Sequence, residues 1–89
     1  MRFEWDKVKS AANLEKHGIS FSESVGLWRD PNMIAVRANR NGEQRWVALA
    51  RMSGAVWAAV YTERGDAIRI ISVRKATLKE AASYDKANR

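Results

Sequence analysis

The sequence predicts one α+β domain with two N-terminal helices, a four- to five-stranded antiparallel β-sheet meander and one C-terminal helix. Three observations carry this. Helix-capping residues recur at Asp6, Ser20 and Thr77. The hydrophobic period changes from helical to alternating at Met33. Three turn signals, Asn41-Gly42, Ser53-Gly54 and Arg64-Gly65-Asp66, then divide the alternating stretch. A chain of 89 residues with 46% hydrophobic content and four Trp suits a single domain over 1–89 and leaves no room for a second.

Each element has a local reason. Residues 2–5 read as a short first strand. Asp6 follows as an N-cap, because its carboxylate can accept the N–H groups that the first helical turn leaves unpaired. That helix should run to about His17, where Gly18 supplies the left-handed residue that ends it. Ser20 and Glu23 form a Ser-x-x-Glu capping box for a second, short helix. It must end before Asp30-Pro31, since the proline ring disfavours helical backbone at its predecessor. The strands are expected over 33–38, 45–52, 55–63 and 67–74. Thr77 and Glu80 make a second capping box and open a last helix through Lys86.

Two-residue turns would set the registers and sort the side chains. One face then collects Ile34, Val36, Val47, Leu49, Val56, Val60, Ile71 and Val73, an aliphatic set expected to form the core beneath the N-terminal helices. The other collects Ala35, Arg37, Trp46, Ala48, Trp57, Ala59, Tyr61, Glu63, Ser72 and Arg74. On this register Arg45, Arg64 and Arg69 share the aliphatic parity, whereas Arg37 and Arg74 share the aromatic one. A one-residue bulge would reverse the sorting beyond it.

The formal net charge is +6 and unevenly placed. Residues 1–44 hold seven Lys/Arg against six Asp/Glu, and residues 45–89 hold nine against four. Much of the excess sits in the 61–76 hairpin, with Arg64, Arg69, Arg74 and Lys75 offset only by Glu63 and Asp66. A polyanionic partner would explain it, and charge alone does not choose among nucleic acid, an anionic membrane and an acidic protein. No apolar run approaches the roughly 20 residues needed to span a bilayer, so no membrane is expected and a cytoplasmic location is the default. With no Cys and one His, disulfides, zinc sites and other metal cofactors are not expected. No helix-turn-helix signature is apparent.

A longer pattern adds to this. The residues are Trp5-Asp6-x-x-Lys9-x-x-x-Asn13-x-x-Lys16-His17-Gly18-x-x-Phe21, then Asp30-Pro31, Arg45-Trp46-x-Ala48-Leu49, Tyr61-Thr62-x-Arg64 and Arg69-Ile70-Ile71-Ser72-x-Arg74-Lys75-Ala76, with Glu80 and Tyr84. In this order and at these spacings the chain resembles the BrnT family, toxins of bacterial type II toxin-antitoxin systems. It departs from the family's usual residues at Ala50, Val73 and Trp57. The resemblance implies a RelE-like fold and a ribonuclease that arrests translation. It also implies neutralisation by a BrnA-type antitoxin, with operator DNA bound only through that antitoxin.

Cutting RNA without a metal needs a base for the ribose 2′-hydroxyl, a cation for the charged phosphorane and an acid for the leaving 5′-oxygen. His17 is the only imidazole and a candidate acid or base. It would equally serve as a helix C-terminal cation beside Gly18. Arg64, Arg69 and Arg74 are the candidate catalytic cations, because the guanidinium fork suits phosphate oxygens. Lys16, Arg45 and Lys75 are candidate RNA contacts. Tyr61, with Trp46 across the strands and Arg37 beyond, is a candidate platform for unpaired bases or else aromatic core. Glu80 is explained by its capping box, and ring packing by Tyr84 is the simpler reading. The alternative to a ribonuclease is a non-catalytic basic module that binds nucleic acid or protein.

Overall fold

In the computed structural model, which describes residues 1–89, β1 (Arg2–Glu4) leads into α1 (Lys7–His17) and α2 (Phe21–Ser24). A 3₁₀ turn (Val25–Arg29) then connects to the strands β2 (Ile34–Arg37), β3 (Trp46–Met52), β4 (Ala55–Arg64) and β5 (Ala67–Lys75). The last element is α3 (Leu78–Ala87). The caps act as their residue types dictate. Asp6 accepts the N–H groups of Val8 and Lys9 at 2.8 and 3.1 Å, and Gly18 takes φ +77°. Both capping boxes, Ser20/Glu23 and Thr77/Glu80, are complete. Asn41-Gly42 and Ser53-Gly54 have positive φ at both residues, as tight hairpin turns require. None of the helices is long and apolar enough to cross a membrane.

The sheet order is β1-β5-β4-β3-β2. The strands from β2 to β5 form the expected meander, but β1 lies parallel to β5, Phe3 opposite Ile68, so the sheet is mixed and not purely antiparallel. Three residues suffice because Phe3 also packs edge-on against Trp28, 5.1 Å between ring centres.

The two faces are covered the other way round from the sequence expectation. Beneath α1, α2 and the 3₁₀ turn lies a floor of Ala48, Ala50 and Ala59, with Tyr61, Ile70 and Val73 around it and Ile19, Phe21 and Leu27 packed onto it. The alanines let the covering layer approach closely, and that layer supplies the bulk. Phe21 and Leu27 are fully buried, worth about 1.5–3 kcal/mol each. The aliphatic face instead carries a smaller cluster of Leu49, Ala58 and Tyr84 under α3, with Ile34, Val47 and Val56 beside it.

A bulge completes the correction. Tyr61 pairs with Ile70 but Val60 pairs with Ser72, so Ile71 is one extra residue in β5. Beyond it the parity reverses. Val73 turns into the main core with Ala59, and Arg74 emerges on the α3 face opposite Ala58.

Side chains close the sheet edges where the short outer strands stop. Asn13 of α1 donates to the Val73 carbonyl at 2.9 Å and accepts its N–H at 3.1 Å. Asp30 accepts the Arg51 N–H at 2.8 Å beyond the start of β2. Strand backbone that neighbours do not satisfy is satisfied here by an amide and a carboxylate.

Candidate functional site

The bulge brings Arg74 onto the face of the sheet that Arg45, Arg64 and Arg69 already share, the face α3 covers only in part. Lys9, Arg45, Thr62, Arg64 and Arg69 line a cavity of about 220 Å³. Glu43 is its only carboxylate. Each residue is held by an identifiable element. Thr62 donates to the Gln44 carbonyl at 2.9 Å, tying the β2–β3 hairpin to β4. Arg45 reaches Glu43 at 3.2 Å, and its buried Nε has no hydrogen-bond acceptor. Arg69 is paired with Glu4 of β1 at 3.0 Å. Arg64 forms no ion pair, and neither does Lys9, which α1 carries past the edge of β5.

Arg74 stands at the α3 side of the same face. Its guanidinium makes two bonds to Glu80, 2.7 and 3.1 Å, and Glu80 also accepts the Thr77 N–H at 2.9 Å. The bond to Arg74 is the main reason the Glu80 carboxyl lies below its ordinary range, against an opposing effect of burial. The same bond raises the Arg74 guanidinium. Glu80 is therefore more than a helix cap.

Other sequence candidates lie elsewhere. Lys16 and His17 end α1, with His17 about 12 Å along the helix from Lys9 at 1.5 Å per residue. His17 makes no side-chain hydrogen bond and lines none of the cavities, so its position fits the helix-terminal reading. Tyr61 pairs with Trp46 across the strands, as the register requires, but is only 7% exposed. Its ring packs against Trp28 at 5.4 Å, which removes it as a stacking platform, and burial followed by the Glu63 charge raises its phenol. Arg37 stacks on Trp46 at 5.0 Å. Lys75 follows Arg74 and so faces the other way, its ammonium 5.9 Å from the Trp57 ring.

Sequence reasoning missed Lys9, Glu43 and Thr62 as site residues. Lys9 and Thr62 belonged to the quoted pattern. Glu43 gave no signal beyond its place beside Asn41-Gly42.

A larger polar groove, about 530 Å³, lies at the other end of β3 and includes Arg29, Asp30, Arg51, Tyr84 and Asp85. Arg45 and Arg51 are about 20 Å apart along the strand. Most of the groove's charges satisfy one another. Arg51 meets Asp85 at 3.4 Å, and Asp30 accepts the Tyr84 hydroxyl at 2.6 Å. Burial raises the Asp30 carboxyl, but the N–H groups of Arg51 and Asn32, the Tyr84 hydroxyl and the Arg51 charge outweigh it, leaving the carboxyl lowered. The arginine cleft, with four cations to one carboxylate among its lining residues, is the better anion site.

Donors in a fork geometry around a concave, cationic floor suit a phosphodiester and the extra charge that develops when it is attacked. No curated protein matches the chain. One family model, described as the ribonuclease toxin BrnT of type II toxin-antitoxin systems, matches residues 5–80 and so spans both the cleft and the Arg74–Glu80 pair. The chain belongs to the BrnT family, endoribonuclease toxins whose type II systems pair them with an antitoxin.

Proposed function

We propose that this protein is a RelE-like, metal-independent ribonuclease that arrests translation in the cytoplasm by cutting RNA in the arginine cleft. A BrnA-type antitoxin neutralises it and carries any contact with operator DNA. What supports this reading is the convergence of Lys9, Arg45, Arg64 and Arg69 on one cavity, with Arg74 farther along the same face of the sheet.

The chemistry follows from what lines the cleft. The ribose 2′-oxygen attacks phosphorus and its proton passes to Glu43, the one carboxylate in the cavity. Arg45, Arg64 and Arg69 stabilise the phosphorane, and Arg74, oriented by Glu80, adds its charge from farther along the same face. The bond from phosphorus to the 5′-oxygen breaks, and that oxygen takes a proton from the Lys9 ammonium. The products are a 2′,3′-cyclic phosphate and a free 5′-hydroxyl. His17, outside the cleft, takes no part.

The test is to incubate purified protein with RNA in chelator and map the new termini. Cyclic phosphate ends are expected, and Glu43→Gln should lower kcat by about 10²–10⁴. Intact RNA at every pH, with binding still measurable, would replace the enzyme with a non-catalytic basic module.

A further inference from the structure

A second cavity, about 340 Å³, opens directly beside the arginine cleft and shares Arg45 and Ile71 with it. The two differ in chemistry. The cleft is polar and cationic. Its neighbour has an aliphatic floor of Val47, Val60 and Ile71, all half-buried, with Asn39, Arg40 and Ser72 at the rim. The β5 bulge makes this shape, because it sets Ile71 and Ser72 in succession where unbroken pairing would place one residue. The Arg40–Glu43 turn walls the opposite side, closed by backbone bonds of 3.0 and 2.9 Å.

We infer that this second cavity takes the base of an unpaired nucleotide whose phosphate lies among Arg45, Arg64 and Arg69. The substrate is then single-stranded RNA read at one base, with Asn39, Arg40 and Ser72 setting the preference. This rests on the ribonuclease reading for the substrate's identity. The sizes agree: the larger cavity is in the range of about 300–1,000 Å³ typical of small-molecule sites, and the smaller suits a phosphate group. An aliphatic floor offers dispersion contact to the flat face of a base, and rim amide, hydroxyl and guanidinium groups can bond its edge. A base within a duplex is stacked between its neighbours with its faces covered, so only a splayed-out base can lay its face on this floor.

Methyl and arginine NMR signals of the whole chain, followed during titration, test this. Inorganic phosphate should move the Nε–H signals of Arg45, Arg64 and Arg69 and leave the methyls of Val47, Val60 and Ile71 in place. At least one nucleoside 3′-monophosphate should move both sets and bind at least tenfold more tightly. Ser72→Tyr, which fills the cavity, should bring nucleotide affinity down to that of phosphate without altering the latter. Should that variant not fold, Asn39→Ala should change the ranking of the four nucleotides. Nucleotides that behave as phosphate does, or a duplex that binds as tightly as its separated strand, would overturn the inference. RNA scission in chelator reports separately on the enzyme. Scission with unmoved methyls removes the base cavity alone, whereas moved methyls without scission support the cavity and remove the chemistry.

Discussion

Asn13 and Val73 exchange two hydrogen bonds, 2.9 and 3.1 Å, across sixty residues of sequence, and so close the edge of β5 where β1 has ended. The same amide also donates to the Ile19 carbonyl at 2.8 Å. Asn13→Ala would leave three buried backbone groups without partners, at about 1–3 kcal/mol for each that water cannot reach. A total loss of about 2–4 kcal/mol is expected by denaturant titration, and a loss under 1 kcal/mol would show that the edge is not sealed this way.

The Arg74–Glu80 pair predicts a pH dependence. Glu80 titrates below its ordinary 4.5 in the folded protein, chiefly through the bond from Arg74. A depressed carboxylate contributes stability that is complete above the unfolded value and disappears as pH falls through the folded one. Glu80→Gln keeps the capping box but removes the charge. It should cost about 1 kcal/mol at pH 7, and its stability should fall less than that of the wild type as pH drops below 4.5. Parallel pH curves would refute the pairing.

Tyr84 donates to Asp30 at 2.6 Å while Arg51 lies over its ring at 5.6 Å, fastening α3 to β3 and to the loop after the 3₁₀ turn. The bond to Asp30 raises the phenol above its ordinary 10.0, helped by burial. Stability from a raised phenol is complete below the unfolded value and is lost as pH rises through the folded one, so its loss should begin above pH 10. Tyr84→Phe should cost about 1–2 kcal/mol and flatten that alkaline slope. Ultraviolet titration of the tyrosinates would record it.

His17 and the cleft arginines should separate cleanly. Arg69→Ala and Arg74→Ala should each abolish growth arrest and lower cleavage by about 10²–10³, with the fold retained by circular dichroism. His17→Ala should leave cleavage within about twofold. A hundredfold loss in His17→Ala would return that residue to the chemistry.

The helix ends were legible because capping is local. Asp6, Gly18, the Ser20/Glu23 box and the Thr77/Glu80 box each satisfy backbone groups within four residues. The hairpin turns were legible for the same reason. The choice of covered face was not, because alternation separates Val47 and Leu49 from Trp46 and Ala48 without saying which pair the N-terminal helices will meet. The small Ala48, Ala50 and Ala59 look poor as core until Phe21 and Leu27 arrive from another part of the chain. The parallel pairing of β1 depends equally on distant partners. For the site, charge and pattern pointed to Arg45, Arg64, Arg69 and Arg74, and alternation already grouped the first three, but the face of Arg74 depended on the bulge at Ile71, a residue that reads like any other strand aliphatic.

That dependence has an evolutionary edge. A loss of the single codon for Ile71 would only remove the bulge, leaving Val73 opposite Ala59 and Arg74 opposite Ala58, whereas one residue gained between Val73 and Arg74 would turn the Arg74 guanidinium into the main core opposite Trp57 and bring the Lys75 ammonium out in its place. Substitution can adjust the strength of this toxin one side chain at a time. A frame-preserving gain beyond the bulge would dismantle it, which makes the end of β5 a segment whose length is under tighter constraint than its spelling.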